Sequence, residues 1–195
     1  GTMAMPLYRR IADQVGEQRA QVDKFSLFLH GEPLLDELLA ERIRYAKARG
    51  IPNVFISTNA VLLDETRARE LVAAGLDEIV ISIDGATPAT YARSKPGLDF
   101  AAVERHAEAF LKVRGAVRTT IRMIVHDANR AEGRLFLDRW SGAGVEAVLL
   151  DAHSWGDKKT GLRRPPAAKA VAPCHAPWMS MAVLWDGTVP LCCLD

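Results

Sequence analysis

The chain reads as an α/β protein: an incomplete parallel (β/α) barrel, partial and TIM-like, that lacks its first strand and carries a short C-terminal β-hairpin segment. Three observations predict this. Five short apolar runs rich in β-branched residues recur along the chain. Helical patterns separate them, as in successive βα units with a parallel sheet. The chain also opens on a helical pattern, which in such an order should follow a strand. Five strands are too few for a closed eight-stranded barrel.

The strands are predicted at 25–29 (FSLFL), 53–57 (NVFIS), 78–83 (EIVISI), 119–125 (TIRMIV) and 146–150 (EAVLL). Each suits a strand buried on both faces, with Phe25, Phe28, Phe55, Leu149 and Leu150 in the core. Residues 4–20 form the leading helix. The stretch 34–50 puts Leu35, Leu38, Leu39 and Ile43 on one stripe and stops at Gly50. Another helix starts at an Asp64 cap and stops at Gly75. A third starts at Asp99 and turns Phe100, Val103, Ala107, Phe110 and Leu111 inward. The last runs through 130–144 and closes before Gly144.

After residue 151 the pattern is lost. Residues 152–173 are polar, proline-bearing and aperiodic, and read as a linker or surface loop. Residues 174–195 contain "MAVLWDGTVPLCC", a hairpin turning at Asp186–Gly187. Trp155, Trp178 and Trp185 are expected to pack this segment. Both ends of the chain read as cut.

Composition narrows the function. The 195 residues suffice for one sizeable core. Lys and Arg (25) nearly balance Asp and Glu (24), so there is no electrostatic case for nucleic acid or an anionic membrane. No apolar stretch reaches the length of a membrane span. The three cysteines, Cys174, Cys192 and Cys193, all lie near the C-terminus. A secreted disulfide scaffold would carry more, spread over a shorter chain. The clustering leaves a local metal site, a local disulfide or chance, and the expected compartment is the cytoplasm.

In parallel α/β sheets, ligands sit at the C-terminal ends of the strands. There the sequence places His30-Gly31-Glu32-Pro33, then Ser57-Thr58-Asn59, then Ser82-Ile83-Asp84-Gly85. Arg122 follows within the fourth strand, with His126-Asp127 at its end and Asp151-Ala152-His153 after the fifth. Glu32 can accept from an ammonium group. Ser57, Thr58 and Asn59 can bind hydroxyls. Arg122 can clamp a carboxylate, or pair instead with Asp84 or Asp151. Together these groups suit an amino acid joined to a nucleoside. His30, His126 and His153 have no partners at metal spacing and read as scaffold.

"HGEPLL", "STNAVLL" and "VISIDGA", on consecutive strands, resemble the radical S-adenosylmethionine (radical SAM) enzymes over residues 4–151. Each stretch alone is an ordinary turn; their order carries the resemblance. It implies that Gly31, Glu32 and Pro33 meet the SAM amino group. It implies that Ser57, Asn59, Ser82 and Asp84 lie near the ribose, and that Arg122 meets the carboxylate. Residues 174–195 are similar to the opening of a SPASM or twitch extension, with Cys174 and Cys192 as ligands of an auxiliary iron–sulfur cluster. The resemblance further implies a SAM-chelating 4Fe–4S cluster, an electron donor such as flavodoxin or ferredoxin, and a peptide, sugar or other small substrate that loses a hydrogen atom. The family's Cys-x3-Cys-x2-Cys loop has no counterpart here, which implies a fragment that is inactive alone. A non-catalytic SAM- or nucleotide-binding module, and a structural barrel fragment needing a partner strand, are the alternatives.

Overall fold

Five parallel strands lie side by side in chain order, β1 to β5, in a computed structural model that describes residues 1–152 and 175–191. They are β1 (Phe25–Ser26), β2 (Val54–Thr58), β3 (Glu78–Ser82), β4 (Arg118–Val125) and β5 (Glu146–Asp151). Helices link them: α1 (Met5–Glu17), α2 (Leu39–Ala48), α3 (Glu65–Ala73), α4 (Pro88–Ser94), α5 (Phe100–Val113) and α6 (Gly133–Trp140), with a one-turn α7 (Ala176–Met179). Every pairing is parallel and the sheet is not closed. This is the predicted partial barrel.

Alternation along the strands sorts the residues into two faces. Val54, Ile56, Ile79, Ile81, Ile121 and Met123 are fully buried and form the core with the helices. Ile43, Leu71, Phe110, Phe136 and Trp140 meet them from α2, α3, α5 and α6. The other face is the concave lumen of the open barrel. It carries Phe55, Ser57, Ser82, Thr120, Arg122, Val148 and Leu150, most of them only half-buried.

The predicted caps hold. The Asp64 carboxylate accepts from Arg67 N at 2.8 Å, and that of Asp99 from Ala101 N at 2.9 Å. Elsewhere the structure differs. The helix predicted from residue 34 begins at Leu39, because Pro33–Leu35 form a 3₁₀ turn and Asp36 Oδ1 accepts from Leu38 N. Leu35 and Leu38 therefore face solvent. β1 is two residues long, although its pairing continues to Leu27 N, which donates to Phe55 O. Leu149 and Leu150 are 39% and 52% exposed instead of buried, since β5 ends the sheet. Phe28 and Phe55 stack edge to face on the lumen side and are only half-buried. Helix α4 has no counterpart in the predicted pattern; a Thr87 cap and Pro88 start it.

At the C-terminal segment, Leu184 N donates to Thr188 O and Gly187 N to Leu184 O, so the turn at Asp186–Gly187 forms. No strand flanks it among the described residues. Trp178 and Trp185 are largely exposed, against the packing role expected of them.

Candidate functional site at the strand ends

Each candidate on residues 30–122 maps to one rim, where the strands end. Gly31 leads out of β1 with φ +87°, a left-handed conformation that disfavours any residue with a Cβ, and no atom lies within 4 Å of where a Cβ would stand. The next residue, Glu32, is a hub. Its Oε1 accepts from Leu34 N at 3.1 Å and from the Thr58 hydroxyl at 2.6 Å. Its Oε2 accepts from Asn59 N at 2.9 Å. A carboxylate has about four lone-pair positions, so one remains on Oε2. Glu32 thus ties the end of β1 to the end of β2 and keeps capacity for one more donor. Pro33 is buried beneath it in the 3₁₀ turn.

The loop after β2 is fixed on both sides. Asn59 Oδ1 accepts from Val61 N, and Ala60 O meets His106 Nδ1 at 2.9 Å. That contact requires the proton on Nδ1. Ala60 sits at φ +60° with no exposed surface, a left-handed conformation costly for a non-glycine residue.

On the lumen face, Arg122 joins three strands. Its Nη2 donates to the Ser82 hydroxyl at 2.8 Å and reaches the Ser57 hydroxyl at 3.3 Å. Its Nε is buried without a partner. Burial pulls the guanidinium pKa down and the Asp84 charge pulls it up; the group stays a cation. Arg122 has no ion pair among the described residues. The acids expected as its alternative partners are paired elsewhere: Asp84 with Lys95 at 3.2 Å and Asp151 with Arg130 at 3.6 Å. Asp84 is buried, and its Oδ1 accepts from Ile124 N at 3.0 Å. Its carboxylate therefore braces β3 against β4.

His126 meets the Ser94 hydroxyl through Nε2 at 2.9 Å and accepts from Ala128 N through Nδ1. Both ring nitrogens are used, in keeping with scaffold. Cys174, Cys192, Cys193 and His153 lie outside the described residues. Among the described residues, no group of three His, Cys, Asp or Glu side chains can hold a metal ion, and no helix is long and apolar enough to cross a membrane.

Two residues at the rim escape the sequence reading. Glu132 accepts from Ala86 N at 2.8 Å, the Thr87 hydroxyl at 2.7 Å and the Thr90 hydroxyl at 2.6 Å. Asn129, fully buried, donates to Ile124 O and Asp84 O and accepts from His126 N. Asn129 lies in the loop after β4 and Glu132 in the 3₁₀ turn that enters α6, at the start of the helix predicted over 130–144, and no spacing rule links them to residues some forty positions earlier.

The opposite end of the strands is chemically different. A depression of about 340 Å³ lies there, lined by Glu78, Arg118, Thr120, Val145 and Glu146. Its charges answer one another: Glu78 takes Lys24 at 2.7 Å and Arg118 at 3.0 Å. Among the described residues, the C-terminal rim combines the unpartnered Arg122 Nε, the Ser57 and Ser82 hydroxyls that accept from Arg122 Nη2, and an open glycine turn.

The family model described as the Radical SAM superfamily matches residues 5–138. The chain is 33% identical over 146 residues to the PqqA peptide cyclase of Gluconobacter oxydans, covering 73% of this chain and 40% of that protein. It is 36% identical over 83 residues to a probable GTP 3',8-cyclase of Methanococcus maripaludis, 43% of this chain and 28% of that protein. The chain thus spans less than half the length of these curated relatives. Among solved structures, native anSMEcpe with bound AdoMet superposes with a TM-score of 0.62 at 21% identity, covering 78% of this chain and 44% of that one. BtrN in complex with AdoMet and 2-DOIA gives 0.56 at 19% identity, covering 100% of this chain and 62% of that one. At such identities the likeness is one of fold.

Proposed function

The chain belongs to the radical SAM superfamily, and from that premise we propose that its C-terminal rim binds S-adenosylmethionine. The observation that carries this reading is Arg122. Its buried Nε lacks a partner while its Nη2 gathers the Ser57 and Ser82 hydroxyls. An unpaired buried guanidinium donor is costly unless an anion meets it. The SAM carboxylate is such an anion, and the hydroxyls beside it suit a ribose.

On this reading Arg122 orients the methionyl carboxylate. Ser57, Asn59 and Ser82 face the ribose, as does Asp84, whose carboxylate also holds the Ser82 strand against the Arg122 strand. The turn Gly31-Glu32-Pro33 receives the ammonium group, with the last lone-pair position of Glu32 Oε2 among its acceptors.

In the whole protein, a 4Fe–4S cluster of the kind the family carries would supply the electron for reductive cleavage of bound SAM. The described residues do not fit that cluster, since no suitable ligand group is present among them. Cys174 and Cys192 are proposed as ligands of an auxiliary cluster. Peptides and small molecules are the substrate classes, and flavodoxin or ferredoxin is the proposed electron donor.

The direct test is calorimetric titration of the full chain with SAM. Saturable binding is expected, weakened about tenfold or more in Arg122→Ala, the loss of a charge-assisted contact. Binding that Arg122→Ala leaves unchanged, or no binding at millimolar SAM, overturns the reading. Catalysis is tested separately. The whole protein, loaded anaerobically with iron and sulfide and then reduced, should release 5′-deoxyadenosine. Binding without that product favours a non-catalytic SAM-binding module.

A further inference from the structure

We propose that Glu132, seated on the loop after β4, is a positioning residue for the ligand-facing loop after β3, with Asn129 as its companion. The inference rests on the SAM reading above and adds to it residues that no contact with the ligand would reveal.

The loop in question runs from Ser82 to Thr90. It carries Ser82 and Asp84 and then enters α4. Its first residues are held by β4, through Arg122 and Ile124, and its later ones by the segment that follows β4. Asn129 Nδ2 grips Asp84 O at 3.3 Å from one side. Glu132 takes the Ala86 amide and the Thr87 and Thr90 hydroxyls from the other. The same Asn129 amide reaches Ile124 O at 2.8 Å, two residues beyond Arg122. The ladder already sets Ser82 beside Arg122; Asn129 and Glu132 fix the course of the loop that continues from Ser82 through Asp84 into α4, and a ligand that touches this loop depends on that course.

Glu132 holds this place as an anion. Burial pushes its pKa up, but hydrogen bonds from Thr90, Ala86 and Thr87 outweigh burial and leave it below its ordinary value. Three donors converge on one half-buried carboxylate, and few single side chains can replace it. Loss of a merely structural carboxylate lowers stability and leaves the ligand affinity of the folded protein unchanged. A positioning one changes ligand affinity more than stability.

The experiment compares SAM affinity with unfolding for the full chain and three variants. Glu132→Gln keeps the shape but removes acceptor capacity. Thr90→Val removes one donor at constant shape and leaves the carboxylate intact. Leu71→Ala, in the fully buried part of α3, is the stability control. Titrations are run at a temperature where each variant is folded by circular dichroism. Glu132→Gln is expected to weaken SAM roughly tenfold, in the range seen for outer-shell partners, with Thr90→Val intermediate. Leu71→Ala should stay within about twofold, as for a distant independent site. If Glu132→Gln does not fold, Thr90→Val carries the test. A parent that binds SAM while both rim variants bind equally well overturns the inference alone. So does a Leu71→Ala variant that loses as much affinity as they do. A parent that binds no SAM overturns the SAM reading and this inference with it.

Discussion

At the scale of single residues, the rim works because its polar groups hold one another before any ligand arrives. Glu32 is legible in the sequence as an acid at a strand end. Its bonds to Leu34, Thr58 and Asn59 are not, because register and loop shape decide them. Removing the carboxylate in Glu32→Ala leaves the Thr58 hydroxyl and Asn59 amide short of an acceptor. A loss of about 2–4 kcal/mol in denaturant unfolding is expected; a loss below about 0.5 kcal/mol would show that water replaces Glu32 freely. Ala60 gives a second check. A β-branched side chain in its buried left-handed position should cost more than about 2 kcal/mol, whereas Ala60→Gly should stay within about 1 kcal/mol, strain relief offsetting the lost methyl. Equal stability of Ala60→Val and the parent would contradict that backbone assignment.

At the scale of elements, acidic residues brace neighbouring strand ends. Glu32 joins β1 to β2, Asp84 joins β3 to β4, and Glu132 joins the loop before α4 to the loop before α6. Gly85 shows how tightly that third joint is packed. A Cβ there would stand 2.7 Å from Tyr91 N and 2.9 Å from Tyr91 Cα. Backbone cannot yield as a side-chain tip does, so Gly85→Ala should lower stability by about 2 kcal/mol or more. An unchanged melting midpoint would contradict the packing. The strands themselves are legible, since β-branched runs between amphipathic helices leave few alternatives. The departures in the helices share one cause. Where Asp36, Thr87 and Pro88 offer local caps, the chain breaks or starts a helix that hydrophobic periodicity alone does not show.

The whole molecule is a half-barrel whose two ends differ. At the N-terminal end of the strands, Lys24, Asn53 and Arg118 hold Glu78 below its ordinary pKa against the opposing effect of burial. Glu132 is held low at the other end. For a carboxylate with a depressed folded-state pKa, the stabilisation is present above the unfolded value of about 4.5 and is lost as pH falls through the folded value. Stability should therefore decline below pH about 4.5. Glu132→Gln should be less stable at neutral pH and decline less steeply in acid. Parallel acid limbs for variant and parent would contradict this. The open lumen also explains why Leu150 departs from the burial expected of it, while Leu149, on the other face, lies on the edge strand that ends the sheet: apolar content predicts burial only when something lies opposite.

The functional reading of the C-terminal rim stands or falls on its occupancy by SAM. Hydrogen–deuterium exchange of the full chain, with and without saturating SAM, reads that occupancy segment by segment. SAM at the rim should slow exchange in the segments 30–35, 57–61, 82–87 and 122–124, with the amides around Glu78, Arg118 and Glu146 unchanged. Protection confined to the Glu78–Arg118 end, or none anywhere at saturation, would contradict it.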